Sequence, residues 1–238
     1  LDHIGKKSKK VVLKSVNTKK KNKVLLDFAI LIKKNEKNII KQNKKDISFA
    51  IKKGLKKNMI ERLILDKIKI KQIENSIKKI VNLKDPVDKI IEKWKRPNGL
   101  RFKKVTIPIG VIGIIYESRP NVTSDVSCLC FKSGNAVILK GGSEAFNSNK
   151  TLVNLFRKAL IKNNIDPNYV QLIEKRNRQV VNYMLTKMKE YIDIIIPRGG
   201  KGLVKEVQKK SAVPFIGHLE GICHTYVDKS ANMNMAKK

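Results

Sequence analysis

Glycine and polar residues are concentrated in four short segments of this 238-residue chain, at positions 117–123, 140–144, 197–202 and 217–224. Each segment follows a run of aliphatic residues that is typical of a buried strand. In open parallel sheets, ligands bind at the carboxyl ends of the strands. The residue types in these segments suit anion binding, stabilisation of a developing oxyanion, or nucleophilic attack.

The first segment carries an arginine and an asparagine in front of a predicted helix. Arg119 could pair with an acidic group of a substrate, and Asn121 could donate an amide N–H to a developing oxyanion. The alternative is a purely structural turn, in which Pro120 fixes the bend and Thr123 or Ser124 caps the helix. The spacing of these residues leaves both interpretations open.

The second and third segments each place a pair of glycines between a strand and a helix. Glycine lets the backbone approach a phosphate, and the N-terminus of a helix favours anions. Lys140 and Arg198 add positive charge immediately before these pairs. Neither segment matches the dinucleotide fingerprint or a P-loop, so each alone could be a plain tight turn. Together they predict a dinucleotide or another phosphorylated ligand.

The fourth segment contains His218, Cys223 and His224. Their spacing matches no standard zinc pattern. Cys223 could be a nucleophile with either histidine as its base, but a cysteine entering a strand is more often packed inside the sheet. Cys128 and Cys130 lie in an apolar helical pattern, which predicts that both belong to the core.

The elements around these segments predict an α/β fold. Residues 1–93 have helical periodicity, and from residue 100 strands alternate with helices, which is typical of a doubly wound parallel sheet. The predicted strands are 100–107, 111–116, 136–139, 170–173, 192–196, 213–216 and one near 224–227, and the predicted helices of this part are 123–132, 143–163, 178–189 and 201–209.

Charge is the most unusual feature of the composition, with 53 basic against 20 acidic residues and a net charge of +33. Only eight of the basic residues are arginines, the side chain preferred for reading nucleic acid. Lysine, isoleucine and asparagine are abundant together, which indicates A/T-rich codons rather than selection for a polyanion. A weak, salt-sensitive attraction to polyanions is the alternative. Three cysteines, no signal peptide and no membrane-length apolar run favour the cytoplasm.

Several blocks make the sequence recognisable, namely residues 94–100, 108–123, 132–144, 196–203 and 217–228. With these blocks the chain resembles the gamma-glutamyl phosphate reductases, also called glutamate-5-semialdehyde dehydrogenases. The resemblance implies an aldehyde-dehydrogenase-like fold with a Rossmann-type sheet. It also implies the second step of proline synthesis, in which NADPH reduces L-glutamyl 5-phosphate to glutamate 5-semialdehyde through a cysteine thioacyl-enzyme.

The resemblance assigns cofactor-binding roles to five residues. Lys140 corresponds to the superfamily lysine that contacts the adenosine ribose. Ser143 falls near the position that distinguishes a ribose 2′-hydroxyl from a 2′-phosphate, and a small neutral residue there suits NADPH because an acid would repel the phosphate. Gly199 and Gly200 correspond to the loop near the pyrophosphate, and Gly142 is expected in the same cofactor-binding set.

The catalytic roles that the resemblance implies are fewer. Arg119 and Asn121 correspond to the strand-end loop that faces the reacting carbonyl. His218 replaces a glutamate that activates water in many aldehyde dehydrogenases, which suits a reductase that must not hydrolyse its thioester. No metal is expected. Two departures are Asp88, where the family often has glycine, and 176–178, which replaces a usual Asp-Arg pair.

The resemblance divides the chain into a helical part of the dinucleotide-binding domain (1–93), the start of an oligomerisation arm (94–108), a Rossmann-type NADP-binding core (109–228) and the start of a catalytic domain (229–238). The nucleophilic cysteine is expected beyond Lys238, so the chain is interpreted as an inactive fragment. The expected partners are glutamyl phosphate, glutamate 5-kinase and, at full length, further copies of the chain, with no membrane and no specific nucleic acid. The alternatives are a non-catalytic nucleotide-binding relative and a basic nucleic-acid-binding protein.

Overall fold

The computed structural model of the protein describes residues 1–177, 179–217 and 223–237. Its N-terminal part consists of five helices, α1 (Asp2–Val12), α2 (Thr18–Lys34), α3 (Glu36–Lys52), α4 (Lys57–Leu63) and α5 (Lys67–Asn82). Asn17 caps α2 by accepting a hydrogen bond from the Lys20 backbone, as Asp66 does for α5 from Lys69. The predicted helical character is therefore confirmed as far as Asn82.

Residues 90–93, which were predicted to be helical, form a strand instead. Strand β1 (Ile90–Lys95) pairs antiparallel with β2 (Arg101–Val105), so the hairpin begins before residue 94. Gly99 makes the turn with a φ of 87°, and the rings of Trp94 and Phe102 stack with centroids 5.1 Å apart. This prediction was wrong because long charged side chains on exposed strands leave no clear period in the sequence.

Asp88 precedes the hairpin in a left-handed backbone conformation, with a φ of 57°. Glycine adopts this conformation without a steric penalty, whereas aspartate is among the few other residues that tolerate it. The backbone therefore gives a physical reason why a glycine suits this position.

The main sheet has four parallel strands, in the spatial order β5–β4–β3–β6. These strands are β3 (Val111–Tyr116), β4 (Ala136–Gly141), β5 (Val170–Leu172) and β6 (Ile194–Arg198), and the helices after them are α6 (Pro120–Lys132), α7 (Phe146–Lys162), α8 (Gln179–Lys187) and α9 (Lys201–Lys210), with a short α10 (Met233–Ala236) near the end. Right-handed crossovers place α6 and α7 on one face of the sheet and α8 on the other, because the strand order reverses between β5 and β6. The predicted doubly wound α/β fold is confirmed.

Two of the predicted strands are wrong. Residues 213–216 contribute only a single parallel bridge, between Phe215 and Ile195 of β6. Residues 223–227 form no strand in the part of the chain that the structure describes. The predicted helix 143–163 is divided, because residues 143–145 form one 3-10 turn before α7.

A continuous hydrophobic core joins the helices to the sheet. Its centre holds four aromatic residues, since Phe131 contacts Phe156 and Tyr169 edge-on, and Phe28 of α2 packs against Phe156. Burying such side chains stabilises a fold by about 1.5–3 kcal/mol each. Among the described residues, no helix combines the length and the apolar character needed to cross a membrane.

Candidate functional site

The strand order creates a crevice at the carboxyl ends of β3 and β6. The chain leaves these neighbouring strands in opposite directions, which is where open α/β sheets bind ligands. Tyr116, the last residue of β3, is paired with Gly141 of β4 on one side and with Arg198 of β6 on the other. The first three segments found in the sequence therefore lie side by side at one edge of the sheet.

A polar cavity of about 280 Å³ lies at this edge, and we call it the arginine cavity. Three of the eight arginines of the chain line it, namely Arg62, Arg119 and Arg198. Its other lining residues are Met59, Glu117, Ser118, Gly199 and Gly200. The planar, fixed charge of arginine suits the recognition of phosphate and carboxylate groups. The cavity is thus suited to an anionic ligand.

Arg62 comes from α4 and was missed by the sequence reasoning. Nothing in its local pattern distinguishes it from the surrounding charged residues, and only its being arginine in a lysine-rich chain could have drawn attention to it. Met59 and Arg62 of α4 line the cavity together with residues that follow β3 and β6, and this long-range arrangement leaves no signal in the local sequence.

A carboxylate of the protein already lies in this cavity. Glu117 Oε2 accepts a hydrogen bond of 3.0 Å from the backbone N–H of Gly200, the N-cap residue of α9. A Cβ on Gly199 would lie only 2.7 Å from Glu117 Cδ, so glycine at this position makes room for the carboxylate. The N–H group that was predicted to face a pyrophosphate therefore binds an acidic side chain here.

A second carboxylate joins the loops after β3 and β4. Glu144 Oε1 accepts hydrogen bonds from the backbone N–H and the hydroxyl of Ser118, at 3.0 and 2.8 Å. A Cβ on Gly142 would overlap the Glu144 carboxylate. Ser143 Oγ lies 3.4 Å from Glu144 Oε2. The neutral Ser143 therefore has an acidic residue, Glu144, directly beside it.

Lys140 is nearly enclosed at the end of β4, with 7% of its surface exposed. Its ammonium donates to the carbonyl of Gly141 at 2.9 Å. Burial lowers the pKa of Lys140, and the nearby charge of Glu144 opposes that effect. A buried ammonium with one neutral acceptor can still bind hydroxyl or phosphate oxygens of a ligand.

The N-terminus of α7 is not open to an anion, contrary to the expectation for the second segment. Asp46 of α3 accepts hydrogen bonds there from the backbone N–H groups of Asn147 and Ser148, at 3.0 and 2.7 Å, and from both of their side chains. A buried carboxylate from a distant helix therefore occupies the positive end of α7.

The first segment begins its helix earlier than predicted. Helix α6 starts at Pro120 with Arg119 as its N-cap, and no side chain caps it. Thr123 is buried and bonds Tyr116 Oη at 2.7 Å and Asn149 Oδ1 at 2.9 Å, so the prediction that Thr123 caps the helix was wrong. Ser124 does not cap it either, because its buried hydroxyl has no partner in the described structure.

Arg119 and Asn121 also line an apolar cavity of about 700 Å³. This cavity lies between α6, strands β3 and β6, and residues 106–109 after the hairpin. The structure thus brings Arg119 and Asn121 together with Arg198, Gly199 and Gly200, on either side of the β3-end loop. The predicted catalytic residues Arg119 and Asn121 therefore lie close to Gly199 and Gly200, two of the five predicted cofactor-binding residues.

Comparisons with known proteins agree with the sequence blocks. No family model matches the chain. The gamma-glutamyl phosphate reductase of Clostridium tetani is 46% identical over 235 residues, which are 98% of this chain and 55% of that protein. The crystal structure of the same enzyme from Thermotoga maritima superimposes with a TM-score of 0.91 at 38% identity, over 98% of this chain and 57% of that one.

The resemblance to the gamma-glutamyl phosphate reductases is confirmed. This chain spans about half the length of the reductases it matches. A glyceraldehyde-3-phosphate dehydrogenase of Methanocaldococcus jannaschii, solved in complex with NADP, shares the fold at 18% identity with a TM-score of 0.69, over 92% of this chain and 46% of that one. The aldehyde-dehydrogenase-like fold is thereby confirmed for the matched part.

Of the three cysteines, only Cys223 was considered as a nucleophile, whereas Cys128 and Cys130 were predicted to belong to the core. Cys128 and Cys130 are buried, as predicted. Burial raises the pKa of Cys130 to about 12 and that of Cys128 well above its ordinary value. Neither is a thiolate at neutral pH, so neither can attack a substrate. Cys223 is exposed, so the expectation that it packs inside the sheet was wrong, whereas His218 lies outside the described residues.

A metal centre finds no support in the described part of the chain. No group of three histidine, cysteine, aspartate or glutamate residues that could hold an ion occurs there.

Proposed function

We propose that this chain is the cofactor-binding part of an NADPH-dependent gamma-glutamyl phosphate reductase. The observation that carries the proposal is the 46% identity to such a reductase over 98% of the chain. The proposed reaction is the reduction of L-glutamyl 5-phosphate to L-glutamate 5-semialdehyde with release of phosphate. The chain covers only 55% of that relative, and its buried cysteines are unsuited to attack. We therefore expect the nucleophilic cysteine in the part of the reductases that this chain does not match.

The residues of the crevice suit a dinucleotide with its phosphates. The Gly200 N–H already donates a hydrogen bond to a carboxylate oxygen, so it is placed to donate to an anionic oxygen of a ligand. Arg119 and Arg198 supply positive charge within the same cavity. We infer that these groups hold the pyrophosphate, while the enclosed ammonium of Lys140 binds the adenosine ribose. Gly142 and Ser143 would complete the site at the end of β4.

When bound, NADPH supplies the hydride for the reduction. The protein's part is to place the cofactor at the carboxyl end of β3, next to the loop that carries Arg119 and Asn121. The amide of Asn121 would donate a hydrogen bond to the oxygen of the reacting carbonyl, where negative charge develops. The neighbouring cavity is lined mainly by apolar side chains, which would disfavour water beside an activated acyl group.

The proposal extends to the setting of the enzyme. Under the same hypothesis the enzyme works in the cytoplasm, and a glutamate 5-kinase supplies its acyl phosphate. The complete enzyme would form a homo-oligomer through the hairpin of β1 and β2. The high lysine content has no part in it.

Titration of the chain with NADPH, NADH and ADP-ribose, followed by calorimetry, tests the proposal. We expect saturable binding of NADPH that is tighter than that of NADH. Lys140→Met removes a charged hydrogen-bond donor and should weaken NADPH binding about 10-fold or more. The matched control is Lys210→Met, since Lys210 forms an exposed ion pair with Glu206 on α9. No binding of NADPH, or equal losses in the two variants, would contradict the proposal.

A further inference from the structure

A third cavity, of about 260 Å³, lies between α4, α5 and α6, and we call it the α4–α6 cavity. Polar side chains from the three helices line it together with a few aliphatic ones. The lining residues are Arg62, Ile64, Leu65, Lys69, Gln72, Ile73, Ser76, Asn121 and Asp125. Its volume is below the roughly 300 Å³ at which pockets for drug-sized ligands begin, so it suits a small metabolite better than a dinucleotide.

Asp125 forms one wall of this cavity without a cationic partner. Its carboxylate accepts a hydrogen bond from Ser76 Oγ at 3.0 Å and lies 3.5 Å from the side-chain amide of Asn121. Both of these donors are neutral, and among the described residues Asp125 forms no ion pair. Burial raises its pKa, although the two hydrogen bonds oppose that effect.

Asp125 has no cationic partner in the described structure, although the chain holds 53 basic residues. Two other enclosed carboxylates pair with lysine, Asp27 with Lys162 at 2.6 Å and Asp85 with Lys21 at 3.0 Å. Within the same described residues the buried Asp46 also lacks a cation, but it accepts four hydrogen bonds, whereas Asp125 has only the two described above. A partly buried carboxylate without a cation is unfavourable in the free protein. It is therefore available to bind a cation from outside.

Positively charged side chains also line the α4–α6 cavity. Arg62 is exposed, and within the described part of the chain its guanidinium forms no ion pair or hydrogen bond. Lys69 donates to the carbonyl of Glu61 at 2.9 Å, a neutral acceptor. The cavity thus presents an unpaired carboxylate and an unpaired guanidinium to the same small volume, which is complementary to a zwitterion.

We propose that the α4–α6 cavity binds the amino-acid end of the substrate. Asp125 would pair with its α-ammonium group and Arg62 with its α-carboxylate. The assignment rests on the proposed function, which requires a glutamyl substrate.

The neighbouring cavities support this orientation of the substrate. Asn121 lines both the α4–α6 cavity and the apolar cavity, and Arg62 lines both the α4–α6 cavity and the arginine cavity. A glutamyl chain held by its amino-acid end would therefore extend its activated carbonyl towards the β3-end loop. The α4–α6 cavity would therefore explain why the enzyme selects a substrate with an α-amino-acid group. The cofactor site alone gives no reason for that selectivity.

Three stable probes separate the two charges of the zwitterion. L-Glutamate carries both the α-ammonium and the α-carboxylate, glutarate lacks the ammonium, and 4-aminobutyrate lacks the α-carboxylate. Ligand-observed NMR titrations of the chain at millimolar probe concentrations should give tighter binding of glutamate than of either analogue, by about 10-fold. Equal affinity for glutamate and glutarate, or no saturable binding of glutamate, would overturn the proposal, and this comparison needs no variant.

Two variants assign the charges to residues. Asp125→Asn keeps the shape of the side chain and should abolish the preference for glutamate over glutarate, while Arg62→Gln should abolish the preference over 4-aminobutyrate. Glu206→Gln and Arg96→Gln are the matched controls, on α9 and at the tip of the hairpin, and should keep both preferences. Retention of the glutamate preference in Asp125→Asn would exclude this residue as the ammonium site.

The proposed function is measured separately by NADPH binding. Selective binding of glutamate without binding of NADPH would contradict the proposed function and leave the amino-acid site standing. Binding of NADPH without any selectivity among the three probes would contradict the amino-acid site alone.

Discussion

The carboxylate of Glu117 lies at the N-terminus of α9, where its Oε2 accepts the backbone N–H of Gly200 at 3.0 Å. The two residues are 83 positions apart in the sequence, and they meet because β3 and β6 are neighbours in the sheet. An acidic side chain therefore occupies the anion-binding end of a helix. A phosphate that binds at the same N–H must displace it.

This relationship predicts that Glu117 competes with an anionic cofactor. Glu117→Gln keeps a hydrogen-bond acceptor but removes the charge, so NADPH should bind about 2- to 5-fold more tightly, the range expected for an exposed charge. Glu117→Ala should have at least the same effect, because it also frees the N–H. Calorimetric titration at low and high salt would measure the change, and weaker binding in both variants would instead assign Glu117 a supporting role.

The close packing of Gly142 against Glu144 predicts a stability change. Gly142→Ala should displace the Glu144 carboxylate from Ser118 and destabilise the fold by about 1–3 kcal/mol, since two hydrogen bonds worth about 0.5–1.5 kcal/mol each are lost. Gly202→Ala is the matched control, because nothing lies near its added Cβ and it sits in α9, so it should stabilise by about 0.5–1 kcal/mol. Urea unfolding would measure both, and a neutral Gly142→Ala would contradict the packing argument.

The buried Asp46 carboxylate, which caps α7, predicts a larger loss of stability on mutation than an exposed cap does. Asp46→Ala leaves two backbone N–H groups and the Ser148 hydroxyl without their acceptor, so the free energy of unfolding should fall by about 2–3 kcal/mol. Asp66→Ala, which removes an exposed cap of α5, should cost only about 1 kcal/mol. If both variants lost the same free energy of unfolding, burial of the Asp46 cap would not increase its contribution to stability.

Asp125 predicts a pH dependence of stability. Burial raises its pKa in the folded state above the ordinary value of 3.8, so its folded form binds a proton more readily than its unfolded form. Protonation of Asp125 therefore adds to the free energy of unfolding. This contribution is fully present below pH 3.8 and is lost as the pH rises through the raised pKa of the folded state. Asp125→Asn removes this loss, so it should be more stable than the wild type at neutral pH. Unfolding curves of both proteins across the acidic range would test this, and a variant that is less stable at neutral pH would contradict it.

The burial of two cysteines predicts their reactivity. A chromogenic thiol reagent should modify one cysteine rapidly in the native chain, Cys223, and all three after denaturation. Cys128 and Cys130 should be slow because they are inaccessible and their pKa values are raised. Rapid modification of two or more thiols in the native chain would mean that α6 opens readily.

Local patterns were sufficient for most of the secondary structure. Strand β3 was predicted from a few adjacent aliphatic residues, because a strand that is buried on both faces leaves a continuous apolar run in the sequence. The hairpin strand β1 was missed because all six of its residues are exposed and give no such signal. Residues 223–227 resemble a strand in composition, yet in the described structure they pair with none.

The sequence by itself determined the alternation of strands and helices, the resemblance to the reductases, and the strand-end segments in which Arg119, Lys140 and Gly199 lie. Only the tertiary structure decided which groups those segments contact. Glu117 binds Gly200 across 83 positions, and Asp46 closes the end of α7 across 102. A sequence period reports which face of an element is buried, but not which element covers it. The partners of a polar side chain therefore follow only from the packing of helices and strands.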